Sequence, residues 1–128
     1  MKRLLLVLAL AALPVGCEGR SELRSAQRLS TEPTSCQGNP GTAATIRFAT
    51  GTEQLKGASR VGFKFAQNKG VFWEIADFSV PVMKLEPRAV TLFFSNEAQD
   101  LTVLSHLPEE IRAGTLRVLP CDPDKVCP

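Results

Sequence analysis

The 128-residue chain holds one histidine, one tryptophan and no tyrosine. Each shortage removes a class of chemistry. A structural zinc site takes about four Cys or His ligands; with His106 alone beside four cysteines, disulfides are the better use of those thiols. Ser-His catalysis needs a nucleophile setting. Ser105 adjoins His106 and Asp100 is nearby, but no Gly-x-Ser-x-Gly elbow is present. A surface loop histidine without a catalytic role is the plainer reading. Asp122-Pro123-Asp124 offers two carboxylates where calcium wants six to eight oxygens, so it reads as a solvated terminal turn. No metal and no cofactor is implied, and the chain reads as a non-enzyme.

Charge of one sign is missing too. The chain carries 15 Lys and Arg against 13 Asp and Glu. Setting aside Lys2 and Arg3 leaves 13 of each. Nucleic-acid binding usually requires a basic excess, so no nucleic-acid partner is expected. The longest apolar run, Leu4 to Leu13, has ten residues. That is short of the roughly 20 that a transmembrane helix needs.

What stands at the front is an export signal. Lys2 and Arg3 precede the apolar run, and small residues follow it, as in a secretory signal peptide. Val15-Gly16-Cys17 then resembles the lipobox of bacterial lipoproteins, with Pro14 where that family prefers Leu. The resemblance covers this segment alone. It implies a signal peptide over 1–16, lipid attachment at Cys17, and a protein held at the envelope membrane facing the periplasm. The outer membrane is the first candidate, and other envelope proteins are the implied partners. A competing cut at Ala9-Leu10-Ala11 would give a soluble secreted protein that keeps Cys17. Cysteine parity favours that alternative: four cysteines make two disulfides, whereas lipidating Cys17 leaves Cys36, Cys121 and Cys127.

Disulfides are the default for those three in an oxidising compartment. Joining Cys36 to either C-terminal cysteine closes about 85 to 90 residues, worth roughly 4 to 5 kcal/mol in the chain-entropy model. A Cys121–Cys127 clip would be worth about 2.5 kcal/mol. The long bridge is preferred because it pins both ends of a small domain.

Residues 17–40 are polar and rich in Ser, Thr, Gly, Pro and Arg, which predicts a flexible tether. Arg20, Arg24 and Arg28 fall four apart and would line one helix face against anionic headgroups, if a helix formed. The plainer reading is a solvated tether. Residues 41–128 form the expected domain. Period-two alternation marks strands at Ala44–Phe48 and Arg60–Phe65. Gln67-Asn68-Lys69-Gly70 turns the second into Val71–Ile75 as a hairpin. Further strands are read at Val80–Leu85, Ala89–Phe94, Leu101–Leu104 and Thr115–Leu119, with one short helical turn at Pro108–Ile111 and Gly114 ending it. No window of 12 residues past the tether shows a convincing helical apolar period. The expected fold is therefore all-β, a small antiparallel β-sandwich, immunoglobulin-like, of about seven strands.

Such a body without reactive machinery reads as a non-enzymatic binding or assembly module. Arg47, Arg60 and Lys64 could form one outward basic face for an acidic partner, although charged outer strands also block aggregation. An alternative job comes from Gly70-Val71-Phe72-Trp73. This is similar to an aromatic pair in small envelope lipoproteins that inhibit C-type lysozyme, and implies an inhibitor of a cell-wall-degrading enzyme. Here Glu74-Ile75-Ala76 continues the strand where that family has a polar turn. The plainer reading splits Phe72 and Trp73 between two faces of one strand.

Overall fold

The computed structural model describes residues 22–66, 72–74 and 78–121. The signal segment, Cys17, the 67–70 connection, Asp122 to Asp124 and Cys127 lie outside them. Strands β1 (Ala26–Cys36), β2 (Asn39–Phe48), β3 (Arg60–Ala66), β4 (Phe72–Glu74), β5 (Val80–Glu86) and β6 (Ala89–Ser95) come first. Helix α1 (Ala98–Ala113) and strand β7 (Arg117–Cys121) complete the order. Every pairing is antiparallel. The all-β, sandwich-like class read from the sequence holds.

The strands follow one path, β1-β2-β6-β5-β3-β4, with β7 on the other side of β3. An immunoglobulin domain has two separate sheets. Here β5 serves both halves, pairing with β3 through Val80 and Pro81 and with β6 through Val82 to Glu86. A register shift between Val82 and Lys84 marks the bend. The two halves close over a common core that includes Ile46, Phe48, Val61, Phe63, Phe65, Leu92, Phe94 and Val118. Phe63 and Phe94, two strands apart in the path, stack with ring centroids 6.0 Å apart. Leu23 and Val118 then exchange backbone hydrogen bonds of 2.8 and 3.0 Å, joining the chain before β1 to β7.

Two expectations are corrected. The tether read over 17–40 is, from Ala26 on, a strand. β1 pairs with β2 over ten positions, and its polar side chains suit an edge strand with few apolar contacts. Pro33 lacks an N–H and is tolerated there for the same reason. Gln37 and Gly38 turn the hairpin with φ of +52° and +86°, the backbone signs of a type I′ turn. The other correction is α1. The strand expected at Leu101–Leu104 and the turn at Pro108–Ile111 are parts of one 16-residue helix. Alternating Leu, Thr and Val mimicked a strand, and Pro108 mimicked a helix start. Yet Val103, Leu107 and Glu110 are buried, with Leu104 and Ile111 packed beside the core. That is an i, i+4, i+7 stripe.

Asp100 holds the helix start by accepting from the Ser95 N–H at 2.8 Å. Gly114 closes the end in the left-handed conformation, φ +75°, with its N–H on Ile111 and the Thr115 N–H on Glu110. This pair of bonds is the Schellman arrangement. The buried Glu110 carboxylate accepts from the Ala66 N–H at 2.9 Å and the Thr115 hydroxyl at 2.7 Å. It stitches the helix to the end of β3.

Two substitutions test this packing. A Cβ on Gly41 would lie 2.4 Å from the Phe94 carbonyl oxygen and 2.7 Å from the Phe93 ring. Because one obstacle is backbone, Gly41→Ala should lower stability by about 1–3 kcal/mol in urea unfolding; an unchanged midpoint would refute the β2–β6 register. Glu110→Ala strands two donors and should cost about 1–3 kcal/mol by the same measurement.

Candidate functional site

Among the described residues His106 is not brought onto Ser105 or Asp100. Its Nδ1 lies 2.8 Å from the Thr102 carbonyl, and its ring stacks on Phe65 at 5.7 Å. The Ser105 hydroxyl donates to the same carbonyl, while Asp100 is engaged at Ser95. The histidine sits on a helix rather than in a loop, and the hydroxyl of Ser105 and the carboxyl of Asp100 are engaged elsewhere. Among the described residues no cluster of three His, Cys, Asp or Glu could hold a metal.

Cys36 and Cys121 end β1 and β7, and both are buried. Neither is a free thiol; both are disulfide-bonded. Phe72 and Trp73 pair with Ala66 and Phe65 in the β3–β4 hairpin, as the alternation required, and their side chains fall outside the described set. Arg47, Arg60 and Lys64 do not share neighbouring strands, since β6 and β5 separate β2 from β3. Arg60 is bound to Ser79, through Nε to the hydroxyl and through a terminal nitrogen to the carbonyl.

Among the described residues the densest charge cluster centres on Glu22, which no local motif singles out. Its carboxylate accepts from Lys64 Nζ at 2.5 Å, from Arg117 at 3.2 Å and from Arg24 at 3.4 Å. Lys64 and Arg117 face each other across β3 and β7, so one acid neutralises a like-charged cross-strand pair. The Lys64 hydrogen bond holds the Glu22 carboxyl below its ordinary value of 4.5, against burial, which acts in the opposite sense.

A second cationic feature has no such acid. Arg28 of β1 stands opposite Arg47 of β2, and Arg47 opposite Ala89, next to the exposed Arg88. None of the three makes an ion pair among the described residues. Beside them an open groove of about 370 Å³ runs between β1 and the C-terminal half of α1. Leu29, Pro108 and Ile111 give it an apolar lining; Gln27, Arg28 and Arg112 give it a polar one. Arg112 also pairs with Glu109 one turn back. An apolar slot with guanidinium groups beside it suits a ligand that is greasy in part and anionic in part. Compared with family models, curated proteins and solved structures, the chain matches none.

The Glu22 cluster makes a pH prediction. A carboxyl whose folded pKa is lowered adds stability above its unfolded value and loses it as pH falls through the folded one. Wild type should therefore be more stable than Glu22→Gln near neutrality, with the gap closing on acidification below about pH 4.5. Urea midpoints measured against pH would show it, and a gap independent of pH would mean that the ionised contact does not form.

Proposed function

We propose that this protein is an exported, non-enzymatic binding module of the bacterial cell envelope. Its contact surface is the β1–α1 groove with Arg28, Arg47 and Arg88, and its partner is an acidic segment of another envelope protein. The observation that carries this reading is the Arg28–Arg47 pair. Like charges directly opposite on paired strands cost stability, and this pair stands without an ion-paired acid among the described residues. An anionic partner would supply the missing countercharge, while an apolar side chain of that partner enters between Leu29 and Ile111. Export rests on the N-terminal segment, and the reading is the same whether Cys17 carries lipid or remains in a soluble chain.

In-cell photocrosslinking tests it. A photoreactive residue in place of Arg112 should give a discrete protein adduct that one in place of Met83, exposed on β5, does not. Arg28→Glu with Arg47→Glu should reduce that adduct about tenfold, and His106→Ala should leave it unchanged. Equal labelling from both positions, indifference to charge reversal, or crosslinks to lipid alone would overturn the proposal.

A further inference from the structure

We infer that the partner's segment docks as an added strand on the open edge of β1, antiparallel to it and alternating apolar with acidic side chains. This rests on the β1–α1 surface being the contact surface, and adds how a chain is read there. β1 is paired on one side alone: β2 lies along it, and no described strand lies beyond. The hairpin decides which backbone groups face out. Gln37 and Gly38 form a two-residue turn, so Cys36 and Asn39 are a hydrogen-bonded pair and the pairs alternate from there. Thr34, Glu32 and Ser30 therefore turn their N–H and C=O groups toward β2, while Ser35, Pro33, Thr31 and Leu29 face outward. Both prolines obey this count. Pro33 stands opposite Thr42 and Pro40 opposite Ser35, positions where neither strand donates to the other. The same alternation continues past β2, with the Phe48 N–H donating to Arg88 beside β6 and the Ala49 N–H to Ser25 ahead of β1. Among the described residues no backbone partner meets the outward groups of Leu29 and Thr31.

An edge with open donors and acceptors is a template for another strand. Pro33 has no N–H to offer, so pairing is best ahead of it, at Leu29 and Thr31. That stretch runs into the groove. Leu29 packs against the core and lines the groove with Pro108 and Ile111. Arg28 and Arg47, opposite each other, share the other face of the sheet, and neither is ion-paired among the described residues. An added strand alternates faces as β1 does. Its residues opposite Leu29 and Thr31 turn to the side of Pro108 and Ile111, which favours apolar side chains. Those opposite Arg28 and Ser30 turn to the arginine side, which favours acids. Glu32 stands on that side too, so an acid opposite it is disfavoured. One short strand thus meets both demands, reading polar, apolar, acidic, apolar, acidic from Glu32 to Arg28. Antiparallel pairing is the more stable form per residue, and in it Leu29 and Thr31 each exchange both backbone hydrogen bonds with the apolar residue opposite.

Fluorescence anisotropy on the exported chain, purified without reductant, tests the inference. The probe is a labelled peptide with the core Thr-Val-Asp-Val-Asp, and its control carries the same residues as Asp-Asp-Thr-Val-Val. The alternating peptide should bind about tenfold more tightly than the control. Methylating its valine backbone nitrogens removes the donors aimed at β1 and should weaken binding about tenfold; methylating the aspartate nitrogens should not. Thr31→Pro removes an outward donor without changing charge. It should weaken the alternating peptide about tenfold and leave the urea midpoint unchanged, since this edge already holds Pro33. Equal binding of both peptides, lost together on Arg28→Glu with Arg47→Glu, would keep the contact surface and overturn strand addition. If neither peptide binds, strand addition is overturned, and photocrosslinking still decides the surface by itself. Indifference to valine methylation overturns it as well. So does a dimer that Thr31→Pro dissolves, which would seat a second copy of the chain on this edge.

Discussion

Two backbone hydrogen bonds between Leu23 and Val118 convert an open strand path into a closed one. The rest of the molecule leans on that closure. Leu23 itself is buried in the core cluster, and one residue before it Glu22 gathers Lys64 and Arg117 from β3 and β7. Without that acid, two cations would face each other across adjacent strands, an arrangement that costs stability. The segment ahead of β1 is thus held by backbone, by apolar burial and by charge at once. It also covers part of the β7 edge that would otherwise offer unpaired backbone groups.

The helix fills the other gap. A sheet that bends through β5 leaves one flank of its core open, and Val103 and Leu107 close it from α1. Pro108 lies within that helix and cannot donate to the carbonyl four residues back. It also helps to line the groove against β1. The same stretch of helix therefore contributes buried apolar surface on one side and a wall of the groove on the other. Arg28 and Arg112 border that surface, where exposed guanidinium groups retain their long-range pull on an anion at low salt.

A small domain gains most from covalent closure when the loop is long, and Cys36 and Cys121, which end β1 and β7, are both disulfide-bonded. An oxidising compartment is the setting in which such bonds persist.

Local pattern determined most of the sheet. β2 and β3 alternate Ile, Val and Phe with Arg and Lys, while β5, β6 and β7 stand out as short apolar runs bounded by turn residues. The Phe65↔Trp73 hairpin was legible for the same reason. β1 was not, because an edge strand made of Gln, Arg, Ser, Thr and Glu is stabilised by pairing with β2 rather than by its own apolar content. α1 was hidden because its buried stripe includes Glu110, whose partners Ala66 and Thr115 lie outside the helix. Nothing local marks Arg28 and Arg47 as neighbours. That follows from strand order and register, which are settled only when the whole sheet closes on its core.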